Sequence, residues 1–298
     1  MTEETKEAKE AEPNKPEESS GLSKPGPIAG FLRDFFKIRD EPSMFGKSFM
    51  AVLFLGLVLV AWYLATRGEP EQRLIAPQVL GSPREVFGSF GTLWFDRALM
   101  RNLLISLGRV FEGFALAGLV GIPLGILSGT FKRVDAFFAP LSVFGRNIPI
   151  TTLVPITLLW FGTGETQKIF FIFIACVAFV MFDTARSIAD VDSAYLDTAY
   201  TLGASRRQVL TKVLIPLSLP GIFNSMRLLF GLAFGYIILS EMIDMNSGIG
   251  MLILVSQRRG PREHVYLILF FITLVAYLLD RLLFATQQML FAYRYGRS

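Results

Sequence analysis

The chain has 298 residues, 52% of them hydrophobic and 18% charged, with a mean hydropathy of +0.48 and a formal net charge of +4. An ordinary soluble domain carries about 25% charge, so composition excludes a soluble globular protein, and the apolar content excludes full disorder. A single cysteine (Cys176) excludes a disulfide framework and a cysteine metal cluster, a single histidine (His264) excludes paired-histidine zinc motifs, and a charge of +4 is too small to argue for nucleic acid. What remains is an all-α polytopic membrane protein with a solvated acidic tail. Residues 1–24 hold seven Glu and four Lys, and residues 1–30 contain almost no large apolar side chain, so they read as a disordered acidic tail. Residues 31–47, with Phe31, Leu32, Phe35, Phe36 and Ile38 beside Arg33, Lys37, Arg39 and Lys47, read as an interfacial amphipathic segment or a plain linker.

A spanning helix needs about 20 mostly apolar residues. Six stretches within a transmembrane domain, residues 48–291, approach that. They are Ser48–Thr66, Gly113–Phe131, Ala136–Gly164 (one charge, Arg146, and broken by Pro149 and Pro155), Ile169–Phe182, Leu219–Ile243 (with Arg227 and Glu241) and Val265–Leu279, the last continuing to Phe291. The fourth and sixth are the shortest. Between the first and second, Pro83–Trp94 has room for an amphipathic helix. Six spans put both termini on one side. With the N-terminus inside, Lys plus Arg number 13 inside and nine outside, a modest positive-inside bias that places both termini, including a tail at 292–298, in the cytoplasm.

The loop Asp183–Gly221 is long, lies inside, and is patterned as two short helices. Ala194, Leu196, Ala199, Tyr200 and Leu202 are the apolar positions of the first. Gly203 supplies a left-handed stop. Ser205 with Gln208 three residues on is a capping box that opens the second, whose apolar face is Val209, Leu210, Val213 and Leu214. Pro216 ends it, and Pro220 suits the first turn of the fifth span. The result is a helical elbow on the cytoplasmic face. It reads as a docking knob for a cytoplasmic partner or as a surface linker.

The run Asp197-Thr198-Ala199-Tyr200-Thr201-Leu202-Gly203, nine residues, then Val213-Leu214-Ile215-Pro216 resembles the EAA signature of ABC-importer permeases, with Asp197 for the usual Glu and Thr198 for the first Ala. The segments 148–170, 201–223, 240–253 and 278–283 look like the nitrate/sulfonate/taurine branch, and the resemblance covers roughly residues 80–285. It implies six transmembrane helices with a cytoplasmic coupling-helix elbow that enters a groove on an ATPase. The coupling residues would be Tyr195, Asp197, Thr198, Ala199, Tyr200, Gly203, Ala204 and Ser205. It implies as partners two ATPase subunits, a second permease copy or paralogue, a periplasmic or lipid-anchored substrate-binding protein, and the lipids of a bacterial inner membrane. The cargo would be a small anion such as nitrate or a sulfonate. A lipid-like cargo in the same architecture, or a stand-alone secondary transporter, are the competing readings.

The chain holds no G-x-x-x-x-G-K-[ST] phosphate cradle; Gly46-Lys47-Ser48 has Glu41 where the first glycine belongs. No cofactor is therefore expected on this chain, ATP and Mg belong on the partner ATPase, and the chain itself is not an enzyme. Gly113, Ala117, Gly121, Gly125 and Gly129 recur every four residues, as do Gly231 and Gly235; such spacing lets backbones approach closely or leaves room for a pathway. Intramembrane charge is costly, which singles out Arg146 with Asn147, and Arg227, as translocation-pathway residues, although Arg227 could instead pair with Asp183 or a lipid phosphate. Glu241 and Asp244 are expected to pair with Arg258, Arg259 or Arg262, or to form with Gly248 and Gly250 an outer gate or receptor-docking surface. His264 beside Glu263 reads as a solvated pair, and Cys176 as packing.

Overall fold

The computed structural model describes residues 44–69, 71, 73–77, 79–243 and 246–295. The acidic tail, residues 31–43 of the amphipathic segment, Asp244, and residues 296–298 of the C-terminal tail lie outside the described residues. Two units divide the chain, Met1–Val58 and Leu59–Ser298. Within the first, the described residues are the beginning of helix α1, Met44–Ala65, which starts a few residues before the sequence pattern suggested.

In the second unit, α2 (Pro83–Gly88) and a π-helical turn (Thr92–Asp96) replace the single helix expected over Pro83–Trp94. Ser82 opens α2 with a reciprocal capping box to Glu85. Then come α3 (Leu99–Thr130), α4 (Lys132–Asn147), α5 (Ile150–Phe161), α6 (Glu165–Ala189), α7 (Ser193–Thr201), α8 (Arg206–Val209), a second π turn (Leu210–Leu214), α9 (Ile215–Ile243), α10 (Ile249–Arg259), α11 (Glu263–Leu290) and α12 (Ala292–Tyr295). Among the described residues five helical stretches are long and apolar enough to span a bilayer: α1, α3, α6, the continuous run Arg206–Ile243, and α11. The pair α4 and α5, bent by 103°, makes the sixth when taken as one.

That bend falls at Pro149, one of the two prolines expected to break the third span, whereas Pro155 lies inside α5. Pro149 has no N–H and pushes the residue before it out of the helical region. Ile148 and Pro149 both sit extended, at ψ 125° and 119°, so the helix stops and restarts at a new angle. The fourth span, short by composition, is a 25-residue helix, because its first turn carries Gln167 and Lys168 into the protein interior, where both are buried. Gln167 donates to Thr157 on α5 at 2.9 Å and accepts from Ser240 on α9 at 2.8 Å, a buried polar relay joining three helices.

The glycine series of α3 packs α3 on α6. A Cβ added at Gly113, Gly121, Gly125 or Gly129 would lie 2.6 Å from the Ile169 carbonyl, 2.7 Å from Val180 Cγ1, 2.5 Å from the Met181 carbonyl and 2.6 Å from the Ala185 carbonyl respectively. Ala117, the remaining member, is fully buried. Close backbone approach over five turns is the use to which this repeat is put. Around the interface lies the main apolar core, including Val110, Phe171, Ile172, Cys176, Val180, Ala233, Phe234, Ile237, Ile249, Leu267 and Ile268. Among the described residues, nothing lies within 4 Å of a Cβ added at Gly231 or Gly235 on α9, so there the same spacing serves no packing.

His264 is buried, with its Nε2 3.0 Å from the Thr92 hydroxyl, and is no solvated pair. It belongs to the seam where the Pro83–Asp96 region meets α11. There Phe87 meets Phe270 edge-on, and Phe90 and Trp94 meet Phe271.

Candidate functional sites at the two ends of the bundle

The helices α3, α6 and α9 connect two structured ends. At one end, Ile126 of α3, Ile188 of α6 and Leu214 before α9 pack with Val209, Val191, Leu196, Ala199, Ala204 and Leu210 in a second, small core. At the other end stand Arg109 of α3, Glu165 of α6 and Glu241 of α9. Arg109 and Ile126 are 17 residues apart on one helix, about 26 Å at 1.5 Å per residue.

The first end is the elbow. Asp192 caps α7 by accepting from the Ala194 N–H at 2.9 Å. The helix closes in a Schellman turn: the Gly203 N–H donates to Tyr200 O at 2.9 Å and the Ala204 N–H to Ala199 O at 3.0 Å, with Gly203 at φ +80°. Ala199 and Ala204, which the turn brings together, lie in the small core beneath. Ser205 then opens α8 with the expected box: its N–H donates to Gln208 Oε1 at 2.8 Å and its Oγ accepts from the Gln208 N–H at 3.4 Å. The elbow is therefore a rigid, locally specified object with its own core, and its outward face carries Tyr195, Asp197, Thr198, Tyr200 and Leu202, all exposed. Tyr200 and Leu202, expected among the apolar positions, point outward; Leu202 is 83% exposed.

Pro216 does not end the second helix. The π turn Leu210–Leu214 shifts the hydrogen-bond register, with the Ile215 N–H donating to Leu210 O, and the helix runs on through Pro216 and Pro220 to Ile243. A π turn just before a proline removes the i−4 clash that would otherwise break the helix. Pro220, lacking an N–H, leaves the Pro216 carbonyl without its helical donor, and the Tyr293 hydroxyl donates to that carbonyl at 3.0 Å. The end of α11 is thereby held beside the elbow, an attachment reinforced by Gln287 Nε2 donating to Pro220 O at 3.1 Å.

Of the second end the sequence singles out Glu241, Gly248 and Gly250 but neither Arg109 nor Glu165. Arg109, 3% exposed, has all five guanidinium N–H groups engaged. Nε and Nη2 donate to the two carboxylate oxygens of Glu165 at 2.6 and 2.5 Å. Nη1 donates to Glu241 Oε1 at 2.7 Å and to Ser247 O at 3.0 Å, and Nη2 also to Ser247 Oγ at 2.6 Å. Glu241 is fully buried. Ser106 Oγ lies 2.7 and 2.8 Å from its two oxygens, and Oε2 accepts from the Gly250 N–H at 3.0 Å. The N-terminus of α10 is capped entirely by other helices: Gly248 N–H on Asn102 Oδ1 at 2.8 Å, Ile249 N–H on Ser106 Oγ at 2.9 Å, Gly250 N–H on Glu241. A carboxylate there also meets the positive end of the α10 dipole. A buried charge persists when paired and hydrogen-bonded on every side, and this one is.

Glu241 therefore pairs with Arg109 rather than with Arg258, Arg259 or Arg262. Gly248, at φ +106°, and Gly250 are glycines for want of space: a Cβ at Gly248 would overlap the Glu241 carboxylate, and one at Gly250 would lie 2.5 Å from Ile238 O. All three are buried. The other expected pathway residues stand apart from one another. Arg146 donates from Nε to Ser142 O at 3.0 Å and lies over the Phe182 ring at 3.4 Å, and Asn147 donates to Val143 O at 2.8 Å. Arg227 pairs with Asp280 at 3.1 Å, not Asp183, and lies over Phe284. Arg109 could have drawn attention as a charge beside the apolar run Gly113–Phe131, but nothing near it in sequence names its partners.

Comparison with known proteins accords with this architecture. Residues 121–292 match the family model described as the binding-protein-dependent transport system inner membrane component. The taurine transport system permease protein TauC of Escherichia coli is 30% identical over 78% of this chain and 85% of its own length. The bicarbonate transport system permease protein CmpB of Synechococcus elongatus is 34% identical over 62% of this chain and 67% of its own. Among solved structures, a chain of the MetNI methionine ABC transporter in inward-facing conformations superposes with a TM-score of 0.60 over 67% of this chain and 98% of that one, at 18% identity, which shows the shared fold. With more than half of its length matching the family model, the chain belongs to the inner-membrane permease components of binding-protein-dependent ABC transport systems.

Proposed function

We infer that the elbow is where a separate nucleotide-hydrolysing subunit grips this permease, and that the movement it imparts travels along α3, α6 and α9 to the Arg109 end. The observation that carries this is the exposed face Tyr195, Asp197, Thr198, Tyr200 and Leu202 mounted on a capped, Schellman-closed turn with its own core. A rigid knob transmits displacement; a loose loop absorbs it. Ala199, Gly203, Ala204 and Ser205 act by shaping that knob. Two ATPase subunits holding ATP and Mg, and a second permease copy or paralogue, complete the assembly, because one chain presents one elbow. A periplasmic or lipid-anchored receptor delivers cargo at the Arg109 end.

The elbow then faces the cytoplasm. Both the Lys and Arg distribution and the Tyr293–Pro216 bond, which keeps the C-terminal end of α11 on the elbow's side, support that orientation. The cargo is a small solute bearing an oxyanion group. The relatives named for taurine and bicarbonate support this class, and Arg146, Asn147 and Arg227 are the intramembrane groups able to attract it. Purification of the chain from membranes of its own cell with its ATPase, followed by receptor-stimulated ATP hydrolysis in proteoliposomes, tests the reading. Gly203→Pro should abolish the stimulation while the protein remains folded. Transport that persists in that variant, or that needs no ATPase, overturns it.

A further inference from the structure

The Arg109 knot has one fixed arm and one free arm. Glu241 is completely enclosed and accepts from Arg109, Ser106 and the Gly250 N–H, whereas the Glu165 side chain, which takes a bidentate pair of bonds from the same guanidinium, is 61% exposed. Glu165 is the first residue of α6 and follows the loop Gly162-Thr163-Gly164. Both glycines sit at positive φ, +69° and +141°, and neither has any atom within 4 Å of an added Cβ. The segment that carries Glu165 is therefore built of residues that turn freely, in open space. When Glu165 leaves, Arg109 keeps Glu241 and Ser247, so the interior retains a neutral buried pair. Glu165 passes into water at a helix N-terminus, where a carboxylate is favoured. The knot can open on one side without stranding a buried charge.

We propose that the Arg109–Glu165 pair is a breakable clasp holding this end of the bundle shut, with Glu165 the releasable member and Arg109–Glu241 the permanent anchor. Glu165 is on this account a positioning residue for the transport cycle: it sets how readily the end opposite the elbow opens. The inference rests on the coupled-permease reading only for its effect on ATP hydrolysis; the opening itself is measurable without it.

The test uses the purified complex with Cys176→Ser as background and nitroxide labels at Thr163→Cys and Gln257→Cys, two exposed positions on the α5–α6 loop and on α10. Pulsed dipolar spectroscopy should give one distance population in the parent and a second, longer one when Glu165→Gln is added. High salt should produce the longer population in the parent and change nothing further in the variant, because exposed pairs are screened and buried ones much less. Glu165→Asp should restore most of the parent distribution. In the complete transporter, Glu165→Gln should raise receptor-independent ATP hydrolysis several-fold. An unchanged distance distribution overturns the clasp, as does a thermal unfolding midpoint lowered by Glu165→Gln as much as by Glu241→Gln, which would make Glu165 a structural tie. A shifted distribution with unaltered hydrolysis leaves the clasp standing and overturns the coupling reading instead.

Discussion

The elbow and the Arg109 knot stand at opposite ends of the same three helices and are built in opposite ways. The elbow is local: its caps, its left-handed glycine and its small core come from residues within about 30 positions of one another, apart from Ile126. Its working side chains face outward. The knot joins residues as far as 146 positions apart in sequence, Asn102 to Gly248, and turns every charge but one carboxylate inward. A surface that must engage another chain can be specified by a short pattern. A joint that must hold three helices in register has to be specified by the packing that brings them together.

The largest effect that would break this contrast is expected at Arg109. Arg109→Ala leaves Glu241 buried with no cation. Removing one partner of a buried ion pair costs about 3–5 kcal/mol, so the thermal unfolding midpoint of the detergent-solubilised protein should fall steeply. Glu241→Gln should cost less, because the amide keeps an acceptor for Ser106 or Arg109. Equal midpoints for Arg109→Ala and the parent would mean that the knot contributes nothing to the fold.

The two glycine series sharpen the same lesson one step down. Gly125→Leu must push a side chain into the Met181 carbonyl and Thr184, whose atoms lie 2.5 Å from the first added carbon. Overpacking of this kind costs about 1–3 kcal/mol, and the yield of folded protein should drop. Gly231→Leu, at the same four-residue spacing but with open space around it, should leave the folded chain unaffected. Spacing alone makes these two series identical. Only the partner helix tells them apart, and that information lies in α6, nearly 60 residues away from the glycines of α3.

At the elbow the expected stability effects are smaller and the functional ones larger. Gly203→Ala places a Cβ at φ +80° and should cost about 1–2 kcal/mol. Leu202→Asp and Tyr200→Ala lie on the exposed face and should change stability by no more than about 0.5 kcal/mol while abolishing receptor-stimulated ATP hydrolysis. If Leu202→Asp lowers stability and spares hydrolysis, the outward face is a structural element and the contrast between the two ends is lost.

These differences account for what the sequence did and did not disclose. Capping boxes, a C-terminal glycine and runs of apolar residues are short-range signals, so the existence of the spans flanking the elbow, the Ser205–Gln208 box and the Gly203 turn are readable, though not the ends of those spans. Apolar length failed where polar residues are buried by distant partners: Gln167 and Lys168 extend α6 beyond its apolar run, and Arg109 lies within the first half of a 32-residue helix of which only the last 18 residues fall in the expected span. Proline acts as the sequence suggests at one site and not at others, Pro155 lying inside α5. At Pro149 it breaks the helix because two successive residues go extended. At Pro216 a π turn absorbs it, and at Pro220 a tyrosine from the far end of the chain satisfies the carbonyl it frees.

The smallest effect is expected where an ion pair is neither buried nor linked to the three helices. Arg73 makes a bidentate pair with Glu85 at 2.9 and 3.2 Å. The hydrogen bonds from Arg73, aided by the Ser82 N–H of the capping box, push the Glu85 carboxyl down from 4.5 to about 2. A carboxyl whose folded value is depressed contributes stability that is fully present above its unfolded value and is lost as pH falls through the folded one. Any contribution here is therefore constant from neutral pH down to about 4.5 and disappears between there and about 2. Glu85 is 40% exposed, so solvent screening holds the pair to the range of surface ion pairs, about 0–1 kcal/mol. Glu85→Gln should shift the unfolding midpoint at pH 7 by a degree or so at most and should remove the pH dependence of that small increment. A shift as large as that of Arg109→Ala would place the Pro83–Asp96 region among the elements that hold the bundle together, and the division of labour between a buried knot and an exposed periphery would have to be redrawn.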